Sequence, residues 1–156
     1  MKLEIGDIRI DRIEESCDIS NLPHEDFPDA TPEALAPYLE WLKPAAIAPA
    51  TGRIIMPVQT YLVRTRHHTI LLDTCVGNHK HHPDMPLWNQ RDNYRLLEDI
   101  AAAGVRPEDI DFVMCSHLHL DHAGWNTQLI DGRWVPTFPN AKYLFCQEEL
   151  DFAQEE

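Results

Sequence analysis

The sequence predicts an α/β domain in which a mixed β-sheet is flanked by helices. Three stretches carry the expectation. Ile70-Leu71-Leu72 is a short apolar strand that ends in Asp73. Asp92 to Ala103 is amphipathic, with Leu96, Leu97 and Ile100 on one side, and Gly104 stops it. Ile110 to Cys115 is a second apolar run, preceded by the charged pair Glu108-Asp109, and reads as a buried strand. Strand, helix and strand in that order place two parallel strands in one sheet through a right-handed crossover.

The remaining elements follow from the same patterns. Lys2 to Ile13 alternates apolar and polar residues, with a break at Gly6-Asp7 between Leu3, Ile5 and Ile8, Ile10. It reads as one or two half-buried strands, or a hairpin. Asn21 to Ala30 is rich in proline and acid and reads as a loop, with His24 solvated. Thr31-Pro32-Glu33 starts a helix: a capping hydroxyl, a proline at the first helical position and an acid in the first turn. Leu35, Leu39 and Leu42 recur at helical spacing up to Pro44, Pro37 kinks or restarts the run, and Tyr38 and Trp41 are assigned to core packing. Thr51-Gly52-Arg53 is a turn. Ile54 to Thr65 is a strand broken or edged at Pro57, Arg66-His67-His68 an exposed hairpin tip, and Thr69 to Asp73 the returning strand. The loop from Val76 to Asp84 holds His79, His81 and His82, which read as solvated. Pro107-Glu108-Asp109 turns the chain into the second apolar strand. Ala123 to Gln128 reads as a short helix. Leu129 to Val135 reads as a hairpin with Asp131-Gly132 at its turn, Lys142 to Cys146 as a strand, and Gln147 to Ala153 as the start of a helix.

The chemistry concentrates in Ser116-His117-Leu118-His119-Leu120-Asp121-His122-Ala123-Gly124. Three imidazoles and one carboxylate fall between His117 and His122, at the C-terminal end of a strand, where open α/β sheets place ligand sites. On an extended segment residues two apart point the same way, so His117 and His119 can aim at one metal ion. Asp121 and His122 are adjacent, follow a turn and can face a second ion. Gly124 allows the close backbone approach that such a loop requires.

This spacing resembles the HxHxDH signature of the metallo-β-lactamase-fold hydrolases, a large superfamily of metal-dependent hydrolases. Leu71-Leu72-Asp73-Thr74 is similar to the superfamily's earlier strand end carrying an aspartate. Ala103 to Asp111, Gly124-Trp125-Asn126 and Asp131 to Ala141 are similar to an uncharacterised branch near its lactonase-like and organophosphate-hydrolase-like members. The resemblance runs from Thr31 onward and corresponds to the N-terminal half of a superfamily domain. It implies the first half of the αββα sandwich as a single, truncated domain over residues 1–156, with N-terminal strands and a loop in 1–30 and the αβ core in 31–156.

The resemblance also implies a metal-dependent hydrolase of ester-like bonds, with a lactone or carboxylic ester first and a phosphoester second, acting through a metal-bound hydroxide on a small-molecule substrate. His117 and His119 would hold the first of up to two ions, and Asp121 and His122 the second. Asp121 would also hold or pass a proton as the catalytic residue, and Asp73 would orient the ligands. Zinc suits imidazole with carboxylate, as do iron, manganese and cobalt. Cys75 stands where many members have glycine and reads as structural. The family's third histidine for the first ion, its bridging aspartate and its last histidine come from later in the chain, and no histidine follows His122. Cys146, Glu148 and Glu149 are the nearby substitutes. The alternative expectation is therefore an inactive metal-binding or interaction remnant of such an enzyme. The sheet face left for the second half predicts a homo-oligomer.

Composition narrows the partners. The chain has 156 residues, 44% of them hydrophobic, enough for a packed core rather than disorder. A formal net charge of -13, from 26 acidic and 13 basic residues, argues against nucleic acid and against an anionic membrane as partners. Cys17, Cys75, Cys115 and Cys146 are widely spaced and lack a CxxC pair, which predicts reduced thiols. An acidic N-terminus with no apolar core and no long apolar run predicts a cytoplasmic protein.

Overall fold

The computed structural model describes residues 2–155 and contains two compact units. One comprises the residues up to Glu15 together with those from Gln59 onward; the other is Ser16–Val58. The chain opens with a hairpin in which β1 (Lys2–Ile5) runs antiparallel to β2 (Ile8–Ile19), Ile5 opposite Ile8. The turn falls at Gly6-Asp7, and Gly6 takes φ +58, a conformation glycine adopts without strain. β2 extends to Ile19, past the Ile13 at which the apolar alternation stops. Its buried face is set by a period of two through Asp11, Ile13 and Glu15. Two of those three are acids, which hides the strand from a reading based on apolar residues. Burial alone raises the Asp11 carboxyl, but hydrogen bonds from Arg64 and Arg9 bring it below its ordinary value.

The second unit carries α1 (Pro23–Asp26), α2 (Pro32–Leu35) and α3 (Leu39–Leu42). The segment expected as a plain loop thus contains one helical turn, started by Pro23 and held by Glu25, whose carboxylate accepts from Leu22 N at 2.6 Å. Thr31 caps α2 as expected, accepting from Ala34 N at 3.2 Å. Between α2 and α3 the chain passes through a 3-10 turn, Ala36–Tyr38, so the helix restarts at Pro37 rather than bending there. That restart corrects the assignment of Tyr38 and Trp41 to the core. Leu35 and Leu39 line an apolar cavity of about 250 Å³ with Leu22, Pro23 and Ile47, whereas Tyr38 and Trp41 are 52% and 70% exposed. Residues 38 and 41 lie on the side of this run away from the leucine stripe.

β3 (Ile55–Arg64) continues through Pro57 without a break, because proline's fixed φ is compatible with extended backbone. It pairs antiparallel with β4 (Thr69–Leu72) across the expected tip, where His67 and His68 are exposed. α4 (Arg95–Ala102) begins three residues after the expected Asp92, and Asn93, just before it, accepts from Arg95 N at 3.0 Å. β5 (Phe112–Met114) then lies parallel to β4, Ile70 opposite Phe112. After α5 (Leu120–Ala123), β6 (Thr127–Ile130) and β7 (Arg133–Pro136) form a separate hairpin. Its turn residues Asp131 and Gly132 both take positive φ, at 50° and 75°. β8 (Lys142–Leu144) runs parallel to β5, and α6 (Gln147–Glu155) follows.

The main sheet is six-stranded and mixed, in the order β1-β2-β3-β4-β5-β8. Leu62, Leu71, Leu96, Ile100, Ile110 and Val113 are fully buried, so both apolar strands and the apolar side of α4 supply the core. The C-terminal ends of the parallel strands β4 and β5 lie side by side and place Asp73 next to Ser116.

Candidate metal centre

The strand stops at Met114, and the segment from Ser116 to His119 is a series of bends rather than the extended continuation the sequence suggests. Side chains take over its backbone donors. Ser116 N donates to Asp73 Oδ1 at 2.7 Å, and Leu118 N donates to Glu149 Oε2 at 3.0 Å. His117 and His119 nevertheless converge, with His117 Nε2 3.1 Å from His119 Nδ1. His119 then begins α5, which corrects the expected helix at Ala123 to Gln128: the turn is earlier and contains Asp121 and His122, and a 3-10 turn and β6 occupy the later positions. His122 N donates to His119 O at 3.0 Å, so the helical turn brings the third imidazole back over the first. The His117 and His122 rings lie 3.9 Å apart between centroids.

A chain of hydrogen bonds fixes which ring nitrogens face outward. Ser116 Oγ donates to Asp73 Oδ2 at 2.9 Å, and His122 Nδ1 lies 2.9 Å from the same oxygen and 3.4 Å from Ser116 Oγ. With its proton committed to Asp73, Ser116 Oγ accepts from His117 Nδ1 at 3.0 Å. Both rings thus turn Nδ1 toward the Asp73–Ser116 pair, and in the neutral Nδ1–H tautomer Nε2 is the nitrogen that can bind a metal. Asp73 holds φ +63, a left-handed conformation that aspartate tolerates better than most residues and that turns its carboxylate toward Ser116.

The motif rests on the loop after β4. Thr74 N donates to His122 O at 2.7 Å, Gly124 N to Cys75 O at 2.8 Å, and Trp125 N to Thr74 O at 2.9 Å. Together these bonds form a seam between two irregular segments. A Cβ on Gly124 would lie 1.8 Å from Val76 O, so no other residue fits there. Cys75 sits at φ +52, which accounts physically for a position where glycine is common. Its thiol is buried and pushed far above its ordinary value, first by burial and then by Glu15 and Asp73, in keeping with a structural role.

The donor set fits divalent cations in pairs. Two nitrogens on one tetrahedral zinc stand about 3.3 Å apart, close to the His117–His119 separation. Asp121 Oδ2 and His122 Nε2 are 3.4 Å apart, which suits a second shared ion. Among the described residues, no group of three His, Cys, Asp or Glu side chains is placed to hold one ion. The three nearby substitutes are otherwise engaged: Glu149 with Leu118 N, and Cys146 Sγ with Glu148 Oε2 at 2.6 Å. Sequence reasoning assigned no role to Ser116, although its place between the strand end and His117 was visible. It also passed over Glu15, whose only trace is its place in the two-residue period of β2.

Residues 54–149 match the family model described as the metallo-beta-lactamase superfamily. The chain belongs to the metallo-beta-lactamase superfamily. Within that superfamily it is 31% identical over 111 residues to an N-acyl homoserine lactonase of Bacillus cereus, covering 64% of this chain and 40% of the relative. It is 30% identical over 132 residues to the N-acyl homoserine lactonase AiiB of Agrobacterium fabrum, covering 78% of this chain and 40% of the relative. The chain thus spans about two fifths of the length of these curated relatives. Among solved structures, a probable metal-dependent hydrolase from Staphylococcus aureus superposes with a TM-score of 0.74 at 24% identity, over 99% of this chain and 52% of that one. AidC, a dizinc quorum-quenching lactonase solved with the product N-hexanoyl-L-homoserine, superposes with a TM-score of 0.71 at 24% identity, over 97% of this chain and 46% of that one. These superpositions establish the fold expected for a superfamily member.

Proposed function

We propose that this chain supplies the metal-binding half of a hydrolase that opens lactones or other carboxylic esters, with phosphoesters as the second substrate class. One observation carries the reading. The Asp73–Ser116 pair takes the Nδ1 side of His117 and His122 and leaves each Nε2 beside a second donor, His117 Nε2 beside His119 Nδ1 and His122 Nε2 beside Asp121 Oδ2. His117 with His119, and Asp121 with His122, would each hold one divalent ion, with zinc first among the metals that imidazole and carboxylate accept. When bound, such ions polarise a carbonyl or phosphoryl oxygen and activate water near neutral pH. Asp121, half-buried beside His122 Nε2, is the group placed to take up and release a proton. A small hollow of about 120 Å³ lies against His119, lined by Leu118, Glu149, Phe152 and Ala153, and offers space for a substrate's apolar part. The lactonase relatives favour a lactone within this class.

The test is to purify the chain, measure its metal content and assay an N-acyl homoserine lactone, p-nitrophenyl acetate and a phosphotriester. Stoichiometric metal with lactone turnover that disappears in His119→Ala and Asp121→Ala supports the reading. Turnover that survives both substitutions overturns it. A second reading, a metal-binding remnant without catalysis, draws on the pairwise arrangement of the ligands, since a catalytic zinc takes three protein ligands and a water. Metal uptake without turnover supports that reading.

Met114 and Leu144 are paired across β5 and β8, and both are nearly half exposed. A second copy of the chain is the proposed cover for this face, and a monomer by light scattering at micromolar concentration counts against it. Four free cysteines suit the reducing cytoplasm, and the acidic surface disfavours nucleic acid. No helix among the described residues is long and apolar enough to cross a membrane.

A further inference from the structure

Glu15 is the least expected side chain in the molecule. It lies on β2, its side chain is wholly removed from solvent, and its neighbour on the same face, Ile13, shows that an apolar residue suits this face. Burying a carboxylate costs several kcal/mol unless donors surround it. Here they do. Val76 N donates at 3.1 Å, Gly77 N at 3.3 Å and Trp125 Nε1 at 2.6 Å, and Arg91 Nη1 stands 3.5 Å away. Val76 and Gly77 belong to one side of the seam beneath the metal motif, and Trp125 belongs to the other. The seam's own backbone bonds, from Thr74, Gly124 and Trp125, run between the same two segments. Successive backbone N–H groups converging on an anion form a nest, and in this protein the anion is the chain's own carboxylate.

We propose that Glu15 is a positioning residue. Its carboxylate clamps residues 74–77 against residues 122–125 and thereby sets where His122, and Asp121 before it, stand. The reference to metal rests on the function proposed above; the clamp itself does not. Glutamine in this place keeps the shape but turns an NH2 group toward converging donors, so Glu15→Gln opens the seam rather than weakening it evenly. Trp125→Phe removes the indole donor together with part of the buried ring volume, and it carries the test, read against the cavity control below, if Glu15→Gln does not fold.

The experiment measures amide hydrogen exchange in the metal-free full chain, then titrates cobalt into it. Leu96→Ala, a cavity substitution in the buried side of α4, serves as a destabilised control at a residue that is not a hydrogen-bond partner of Glu15. Expected in Glu15→Gln is exchange at Thr74, Gly124 and Trp125 faster by about tenfold or more, the size of one lost charge-assisted hydrogen bond. Val113 should keep the exchange rate it has in the control. Trp125→Phe should show the same pattern with a smaller change. Cobalt affinity should fall about tenfold in Glu15→Gln and hold in Leu96→Ala, with an altered visible spectrum in the former only. Unchanged seam exchange, or acceleration no greater than in the control, overturns the proposal. If the wild-type chain takes up no cobalt, the proposed function fails, and the exchange data alone decide the clamp.

Discussion

The chain contains two histidine triplets, each within six residues, and the structure treats them oppositely. His117, His119 and His122 follow a buried strand; His117 reaches Asp73 through Ser116, His122 stands beside Asp73 itself, and His119 meets His117. His79, His81 and His82 occupy an irregular loop, where His79 Nε2 meets Tyr94 at 3.4 Å and His82 N donates to Asn89 Oδ1 at 2.8 Å. Imidazole content is the same in both. The difference lies beneath them: the first triplet stands on a carboxylate that accepts hydrogen bonds from Ser116 and lies beside His122, and on a seam anchored by buried Glu15. A histidine cluster becomes a candidate site when something buried fixes its tautomers and spacing; without that support, it is a polar loop.

The largest effect expected from this contrast comes from Gly124→Ala. The added Cβ meets Val76 O, which is backbone and cannot turn aside, so the chain should lose about 3 kcal/mol or more by urea unfolding. A change within about 0.5 kcal/mol would mean that the seam does not support the first triplet. Next comes Asp73→Ala, expected to weaken zinc or cobalt binding by about 10- to 100-fold in a chelator competition. Replacing His79, His81 and His82 together with glutamine should leave that affinity unchanged; a comparable loss would erase the distinction between the triplets. Ser116→Ala removes one relay and should cost about fivefold in the same assay, the equivalent of one neutral hydrogen bond.

The smallest effect concerns the second triplet. Burial, with Lys80 and His81 nearby, holds His82 below its ordinary value of 6.5. The unfolded chain therefore takes up this proton first, and the stability tied to neutral His82 is present above that value and lost as pH falls through the folded one. The decline in urea midpoint from about pH 7.5 to 5.5 should be slightly smaller in His82→Gln than in wild type. An identical decline in both proteins would show that this imidazole is as solvated as its loop suggests.

Much of this was legible in the residues because the signals were local. Apolar runs gave β4 and β5, the amphipathic stretch gave α4, and the Asp-Gly pair gave the β6–β7 turn. The HxHxDH spacing gave the motif, and the Asp73 strand end marked the residue that now supports His122. Tyr38 and Trp41 misled because aromatic character beside a leucine stripe does not say which way a restarted helix faces. The helix after His122 was placed too late because its cap is His119, and histidine is not among the residues that favour the N-cap.

By itself, the sequence determined the α/β class, the parallel crossover and the identity of the side chains that could grip a cation, since each depends on neighbours within a few residues. Only the tertiary structure decided that Asp73 and Ser116 would share protons with His117 and His122, and that Glu15 would lie beneath them. Those contacts join residues 43 and 110 positions apart, and no local pattern encodes where two distant strands will bring their ends together.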